Sequence, residues 1–350
     1  MTTVRAEAPA TSDPVRLPAA TELAPAASVR FTEATDPALW NRLALDLPGG
    51  TAFHEWSFLD LQERIFGFSI ERWMVEIDAR PVGILPLARR SRRSPRSPYL
   101  EFPFLGPAVP AEHVEAVLRA ARRHQQLRRM VLVHFDVAPS LAAAVADAAA
   151  RIPQHVRLDG TVQIDLSHGS EEQLDARMSK SRRRLIRRTA DEGVEARIAQ
   201  PGEITAQLGP ALDAAYTRRG AQNPYPLDIG GQIEDWAADR PDVLLSVATV
   251  DGTVVSSDVM LGSHPIAIAW VGARTPDAVQ GHADAVLTRF ALLRAMQAGH
   301  TAVDLAGRVD DDVERYKLSF GGTAVPYLTV EGSLLPTKAV TAVRRVIARR

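Results

Sequence analysis

The chain has 350 residues, enough for about two domains of ordinary size, and its 46% hydrophobic and 24% charged residues are a globular composition. Its 41 Lys and Arg against 42 Asp and Glu leave a net charge of -1, which excludes the uniformly basic surface of a bulk nucleic-acid binder but not a local basic patch. The absence of cysteine excludes disulfides, thiolate catalysis and cysteine metal sites, and no apolar run approaches a membrane span.

In chain order, residues 1–28 are rich in Ala, Pro and Thr and lack the apolar h-region of a secretory signal; they read as a disordered leader, and the location as cytoplasmic. Two helical pieces follow within 38–66, with Leu39, Trp40 and Leu43 at helical spacing in the first, a break at Pro48–Gly50, and His54–Phe66 as the second. Arg72–Ile77 and Val82–Ala88 read as a hairpin around Asp78–Pro81. Arg89–Pro98 reads as an exposed loop, Ala111–Arg128 as an amphipathic helix, and Met130–Val137 as a buried strand.

A similar order returns in the second half. Thr161–Leu166 reads as a strand and Glu171–Gly193 as one long charged helix closed by its glycine. Val243–Leu261 reads as a hairpin with Asp251-Gly252 at the turn. Ile266–Ala273 is a further strand, Ala283–His300 a helix, and Thr301–Gly307 and Ala324–Val330 two more strands. The hairpin–helix–strand order thus occurs twice, which predicts an α/β (α+β) fold with a repeated module.

Several residues stand out chemically. Lys317 is one of only three lysines among 41 basic residues; lysine is a compact point charge where arginine is a broad fork. It suits a developing oxyanion or a donor phosphate, or it is a surface lysine before a turn. Asp304 falls inside an apolar strand and Asp258 inside another. A buried carboxylate has to be paired or functional, so either could accept a proton from an amine or complete a structural hydrogen bond. Arg308 follows a strand end, where ligands of α/β sheets bind, and its fork suits a phosphate or carboxylate; a salt bridge to Asp310–Asp312 is the other reading. Tyr316 and Phe320 read as wall residues, and Gly321 and Gly322 as a close backbone approach or a plain turn. In the run Lys180–Arg188, Arg183 and Arg187 share a helix face, as do Arg184 and Arg188; with Lys180 they would contact phosphate or form a solvated face. No histidine spacing indicates a metal site.

The stretches Asp304-Leu-Ala-Gly-Arg308 and Tyr316-Lys-Leu-Ser-Phe-Gly-Gly322, after the helix from Ala283, resemble the C-terminal signature of the FemABX-like and BioF2/CelD-like transferases of the GNAT superfamily. Met178–Glu195 and His54–Gly67 resemble two further segments of that family. The resemblance covers roughly 50–330, most closely 160–330. It implies two tandem GNAT-like domains, each a mixed central sheet flanked by helices: 29–158 and a catalytic 159–335, followed by a basic C-terminal helix over 336–350. It implies N-acyl transfer to an amine with Lys317 in the role given above; Asp258 and Asp304 join it as catalytic candidates from the residue reading, with no bound metal or cofactor expected. Arg308, Tyr316, Phe320, Gly321, Gly322, Lys180, Arg183, Arg184 and Arg187 are the candidate binding residues. The implied donor is aminoacyl-tRNA and the implied acceptor a peptidoglycan precursor or amine-bearing metabolite. The alternatives are an acyl-CoA donor, whose pyrophosphate turn has only Gln280–Ala283 as counterpart, and a non-catalytic tandem-GNAT binding module. Monomer and homodimer stay equally open.

Overall fold

The structure, a computed structural model, describes residues 28–89, 104–127, 132–167, 169–275, 282–307 and 311–333. The expected leader (all but Ser28), the Arg89–Pro98 loop beyond Arg89, Gln280 and Gly281, Arg308 and the helix over 336–350 lie outside the described residues.

The first half opens with strand β1 (Val29–Glu33) and helix α1 (Pro37–Asp46). Asp36 caps α1 by accepting from the amides of Ala38 and Leu39, with proline at the first helical position. Helix α2 (Trp56–Phe66) leads into the hairpin of β2 (Ser69–Ile77) and β3 (Arg80–Arg89). Its turn places Asp78 and Ala79 at φ 50° and 62°, the mirror-image turn that matches strand twist, achieved here without glycine. The sheet order is β1-β2-β3, antiparallel throughout. Helix α3 (Val114–Leu127), strand β4 (Leu132–Val137) and helix α4 (Ala142–Ala148) complete this half.

Strand β5 (His155–Asp165) begins six residues before its expected start. The long helix expected over 171–193 is two helices, α5 (Glu171–Arg177) and α6 (Lys180–Asp191). The break has a local cause. Met178 is extended and buried in the core, and the Ser179 hydroxyl accepts from the Arg182 amide as the cap of α6. After β6 (Val194–Ile198) come α7 (Glu203–Arg218) and α8 (Ile229–Ala237). The expected hairpin is β7 (Val243–Val250) and β8 (Thr253–Leu261), followed by β9 (Ile266–Arg274), α9 (Ala283–Gln297), β10 (Ala302–Asp304), α10 (Asp311–Leu318) and β11 (Thr323–Ser333).

One mixed sheet of eight strands, β4-β11-β5-β10-β9-β8-β7-β6, carries the second half. It takes in β4 from the first half, which pairs with β11 from Leu328↔Val137 to Ser333↔Leu132. Helices α7 and α8 cover one face and α9 the other. Ile204, Leu208, Ile229 and Ile233 pack with Val247, Val259 and Ile268 on the first face, together with Trp40, Phe53 and Phe58 of the first half. Ala291 and Leu292 pack with Ile164, Met260 and Val303 on the second.

Candidate active site

Among the described residues the sheet has one parallel pair, β9 and β10, and it is short. Ala302, Val303 and Asp304 pair with Ile266, Ala267 and Ile268, after which β9 continues to Arg274 while the chain leaves β10. The two strands therefore part at their carboxyl ends, where open α/β sheets place ligands. The chain turns there through two residues of positive φ, Ala306 at 50° and Gly307 at 60°.

Asp304 fixes this turn from below. Its side chain is buried and accepts from the Thr161 hydroxyl at 2.5 Å, the Gln163 amide group at 2.9 Å and the Ala306 N–H at 2.8 Å. Burial raises its carboxyl above the ordinary range, against those hydrogen bonds and the Lys317 charge. Lys317 fixes the turn from above. It stands in the last turn of α10, and its ammonium donates to the carbonyls of Ala306 and, at 2.7 Å, Gly307. Burial lowers it to about 8, and Asp304 opposes that shift. An ammonium has three N–H donors. Two hold the turn, and the third has no partner among the described residues.

The aromatic residues of this segment brace it. The Tyr316 hydroxyl donates to the Asp284 carbonyl at 3.1 Å and lies 3.0 Å from the Thr288 hydroxyl, which joins α10 to the first turn of α9. Phe320 is wholly buried in the α9-side core, so it supports the turn from within and offers no surface to a ligand. Gly321 has φ 85°, and a Cβ there would lie 2.9 Å from the Arg177 carbonyl; a Cβ on Gly322 would lie 2.5 Å from Val162. Both glycines thus accommodate the chain's own packing. Arg182 lies over the rings of Tyr316 and Phe320, 4.5 and 4.6 Å from their centroids, and donates to the Ser319 hydroxyl at 2.8 Å.

Asp258 stands apart from this group. It is two residues from Met260, and Asp304 directly follows Val303; Met260 and Val303 both pack on the α9 face. Since strand side chains alternate, Asp258 points to the α9 face and Asp304 to the opposite one. The two carboxyls are therefore not alternatives for one proton. Asp258 lies opposite Gly272 in β9, four residues past the partner of Asp304, about 13 Å along the strand. Burial pushes its carboxyl up to about 7.

The cationic helix α6 divides by role. Arg183 donates to the carbonyls of Asp175, Ala176 and Met178, closing the end of α5. Lys180, Arg184 and Arg187 are exposed and have no ion pair among the described residues; their spacing of four and three puts them on one face. Arg188 reaches Glu192 at 3.6 Å.

Sequence reasoning brings Lys317, Asp304 and Tyr316 to this site but misses Thr161, Gln163 and Arg182. The first two alternate along a recognisable strand, which is a signal for a shared face; their pairing with β10 has none. No group of three or more metal-ligating side chains occurs among the described residues, and none of the described helices is long and apolar enough to cross a membrane.

Residues 176–318 match the family model of an acetyltransferase (GNAT) domain. Among curated proteins, none matches this chain. Solved structures share its fold at low identity. The crystal structure of FemX is 10% identical, with 85% of this chain and 96% of that one covered and a TM-score of 0.65. A tandem GNAT protein from the clavulanic acid biosynthesis pathway, solved without AcCoA, is 13% identical over 89% and 100%, with a TM-score of 0.53. The C-terminal domain of a putative lysylphosphatidylglycerol synthetase from Agrobacterium fabrum is 13% identical over 87% and 93%, also at 0.53. Residues 176–318 are therefore similar to a GNAT acetyltransferase domain, in a chain whose fold resembles those of FemX and of the tandem GNAT protein.

Proposed function

We propose that the chain is an N-acyltransferase that forms an amide on an amine acceptor where β9 and β10 part, with aminoacyl-tRNA as donor. The observation that carries this reading is the Lys317 ammonium, held by two carbonyls at that strand end with one N–H to give. Acyl transfer to an amine proceeds through a tetrahedral oxyanion, and a positioned donor in a partly buried site stabilises that charge as it develops. Asp304 contributes by holding the turn through Ala306, and Thr161 and Gln163 hold Asp304. Arg308, adjacent in sequence to Gly307, is proposed to bind donor phosphate or carboxylate. Lys180, Arg184 and Arg187 favour a polyanionic donor, since three exposed cations on one face match a phosphate backbone. The FemX likeness is consistent with that donor. Acyl-CoA is the second reading, favoured by the GNAT domain match and by the AcCoA named for the clavulanic acid pathway protein. We place the protein in the cytoplasm, where both donors occur.

The test incubates the protein with charged total tRNA and, separately, with acetyl-CoA, each beside a panel of amines, and follows donor consumption. Consumption of aminoacyl-tRNA is expected. Charge reversal at Arg184 and Arg187 should then weaken donor binding and flatten its salt dependence by about two charges. Consumption of acetyl-CoA alone, with a salt response unchanged by the reversals, selects the second reading. Inertness toward both donors overturns the enzyme reading in favour of a binding module.

A further inference from the structure

We infer that the N-terminus of α9 excludes the pyrophosphate of an acyl-CoA, because the Arg274–Asp284 ion pair fills the place that such an anion would take. This inference rests on the acyl-transfer reading and selects between its two donors.

A strand that runs through a loop into a helix makes an anion site on two conditions. The first amides of the helix must be free, and the positive pole of the helix dipole must not already be met by an acid of the chain. β9, the turn that ends at Ala283, and α9 have this connectivity, and an acyl-CoA would lay its pyrophosphate there. Neither condition is met. The chain enters α9 through His282 at φ 54°, and Ala283, Asp284 and Ala285 carry the first three amides. Ala283 is 1% exposed and packs with Val194 of β6 and Ala248 of β7. Ala285 is wholly buried, and its N–H already bonds to the His282 carbonyl at 2.9 Å. The remaining amide belongs to an acid.

Asp284 supplies the negative charge itself. Its carboxylate stands in the first turn, where an acid compensates the helix dipole. Its Oδ1 is buried and lies 2.9 Å from Nη1 of Arg274, the last residue of β9. The pair therefore spans from the strand end to the first turn of the helix, across the gap that a phosphate would have to enter. The backbone of this turn is tied down as well. The Asp284 carbonyl accepts from the Thr288 hydroxyl at 2.8 Å and from the Tyr316 hydroxyl at 3.1 Å. Further along α9, Arg289 is committed to Asp175 at 2.8 Å and to Glu171. A pyrophosphate at this end would meet a carboxylate at close range and would have to take Arg274 from it.

The cations free for a donor stand elsewhere. Lys180, Arg184 and Arg187 are exposed on one face of α6 with no ion pair among the described residues. A row of cations along a helix face suits a phosphate backbone that runs past it. A helix N-terminus suits a single compact pyrophosphate, and here that end is closed.

The experiment titrates the full chain with CoA by calorimetry at low ionic strength, with neither acceptor nor aminoacyl donor present. No saturable binding is expected. Asp284→Asn keeps the shape of the side chain, removes its charge and frees Arg274. It should bring CoA binding into the measurable range, a gain of about tenfold or more. Arg274→Gln opens the same ion pair but leaves the acid, so CoA should stay unbound. Thermal melts verify the fold of each variant. Three results would overturn the inference: saturable CoA binding by the parent, a folded Asp284→Asn protein that still does not bind CoA, or an equal gain in Arg274→Gln. All three leave the acyl-transfer reading standing, and the first restores acyl-CoA as its donor. Inertness toward both donors in the turnover test would sink that reading while leaving the CoA titration as measured.

Discussion

Lys317 holds the Ala306–Gly307 turn and is proposed to stabilise the oxyanion, and its substitution separates both from a simple surface charge. Lys317→Met removes the proposed oxyanion donor and leaves the carbonyls of Ala306 and Gly307 without their ammonium. Turnover should fall about 100- to 1,000-fold. Stability should fall too, because each carbonyl left unsatisfied costs about 1–3 kcal/mol, offset in part by removal of a buried charge. Lys317→Arg should rescue neither, since a broad guanidinium cannot occupy the place of a point charge beneath two carbonyls. Rate assays and thermal melts of both variants check this. Since burial brings Lys317 down to about 8, the oxyanion contribution should disappear as pH rises through about 8. Its effect on stability has the opposite sense: the unfolded lysine keeps its proton to higher pH, so folding gains as pH rises from about 8 toward the ordinary lysine value. Asp258 gives a second residue-scale prediction. Its carboxyl titrates near 7 when folded, so its buried charge opposes folding above that pH. Asp258→Asn should raise the thermal midpoint at pH 8, leave it nearly unchanged at pH 3, and preserve turnover because it lies about 13 Å along the strand from the register of Asp304. Loss of turnover in a folded Asp258→Asn protein would place it in the chemistry after all. The lysine was legible in the sequence because it breaks the arginine bias. The separation of Asp258 from Asp304 was not, because which face a strand residue takes depends on sheet pairing that composition does not encode.

Element boundaries show the same division between local and long-range information. The β7–β8 hairpin was legible from Asp251-Gly252, and α9 from its apolar repeat, because both signals lie within a few residues. The break between α5 and α6 was masked by charge. Glu171 to Glu192 is rich in helix formers, and only Ser179 marks the start of a second helix. What fixes the break is tertiary: Met178 enters the core, and the Ser179 amide donates to the Ser319 carbonyl at 2.9 Å. That contact brings the start of α6 against the Phe-Gly-Gly turn after α10. The turn in its place requires Gly321, which combines a φ of 85° with an Arg177 carbonyl that would stand 2.9 Å from any Cβ added there. Gly321→Ala should therefore destabilise by more than the roughly 1–2 kcal/mol of a left-handed backbone alone, as measured by denaturant unfolding. A smaller loss would mean that Arg177 yields without cost. Arg182, stacked over Tyr316 and Phe320, shows why the cationic run could not be apportioned beforehand: one arginine braces the turn, Arg183 closes α5, and Lys180, Arg184 and Arg187 remain for solvent or ligand.

At the scale of the whole molecule, the tandem arrangement does not yield two separable bodies. β4 completes the eight-stranded sheet, and Phe58 of α2 stacks edge-on against Trp270 of β9 at 4.9 Å. Arg240 reaches back to Glu55 and Ser57, and His264 to the Ala44 carbonyl at 2.9 Å. His54 sits within this seam, wholly buried, with one ring nitrogen 2.8 Å from the Gly106 carbonyl and the other accepting from the Thr51 N–H at 3.2 Å. It does not contact the Lys317 turn, so His54→Ala should reduce stability more than turnover. Burial pushes His54 down to about 4, with the Gly106 bond opposing that shift, and burial lowers His264 as well. A histidine that protonates more readily unfolded than folded contributes stability above its ordinary pKa of about 6.5, and that contribution is lost as pH falls from there through about 4. For His54 this is on the order of 3 kcal/mol. Because the seam is common to both halves, the loss should lower one cooperative transition and not release the first half alone. Calorimetric melts between pH 7 and pH 4 should show a single endotherm whose midpoint falls with acid, and His54→Gln, which carries no titrating proton, should flatten that dependence. Two endotherms separating at low pH would show that the halves unfold independently and that the shared strand does not couple them.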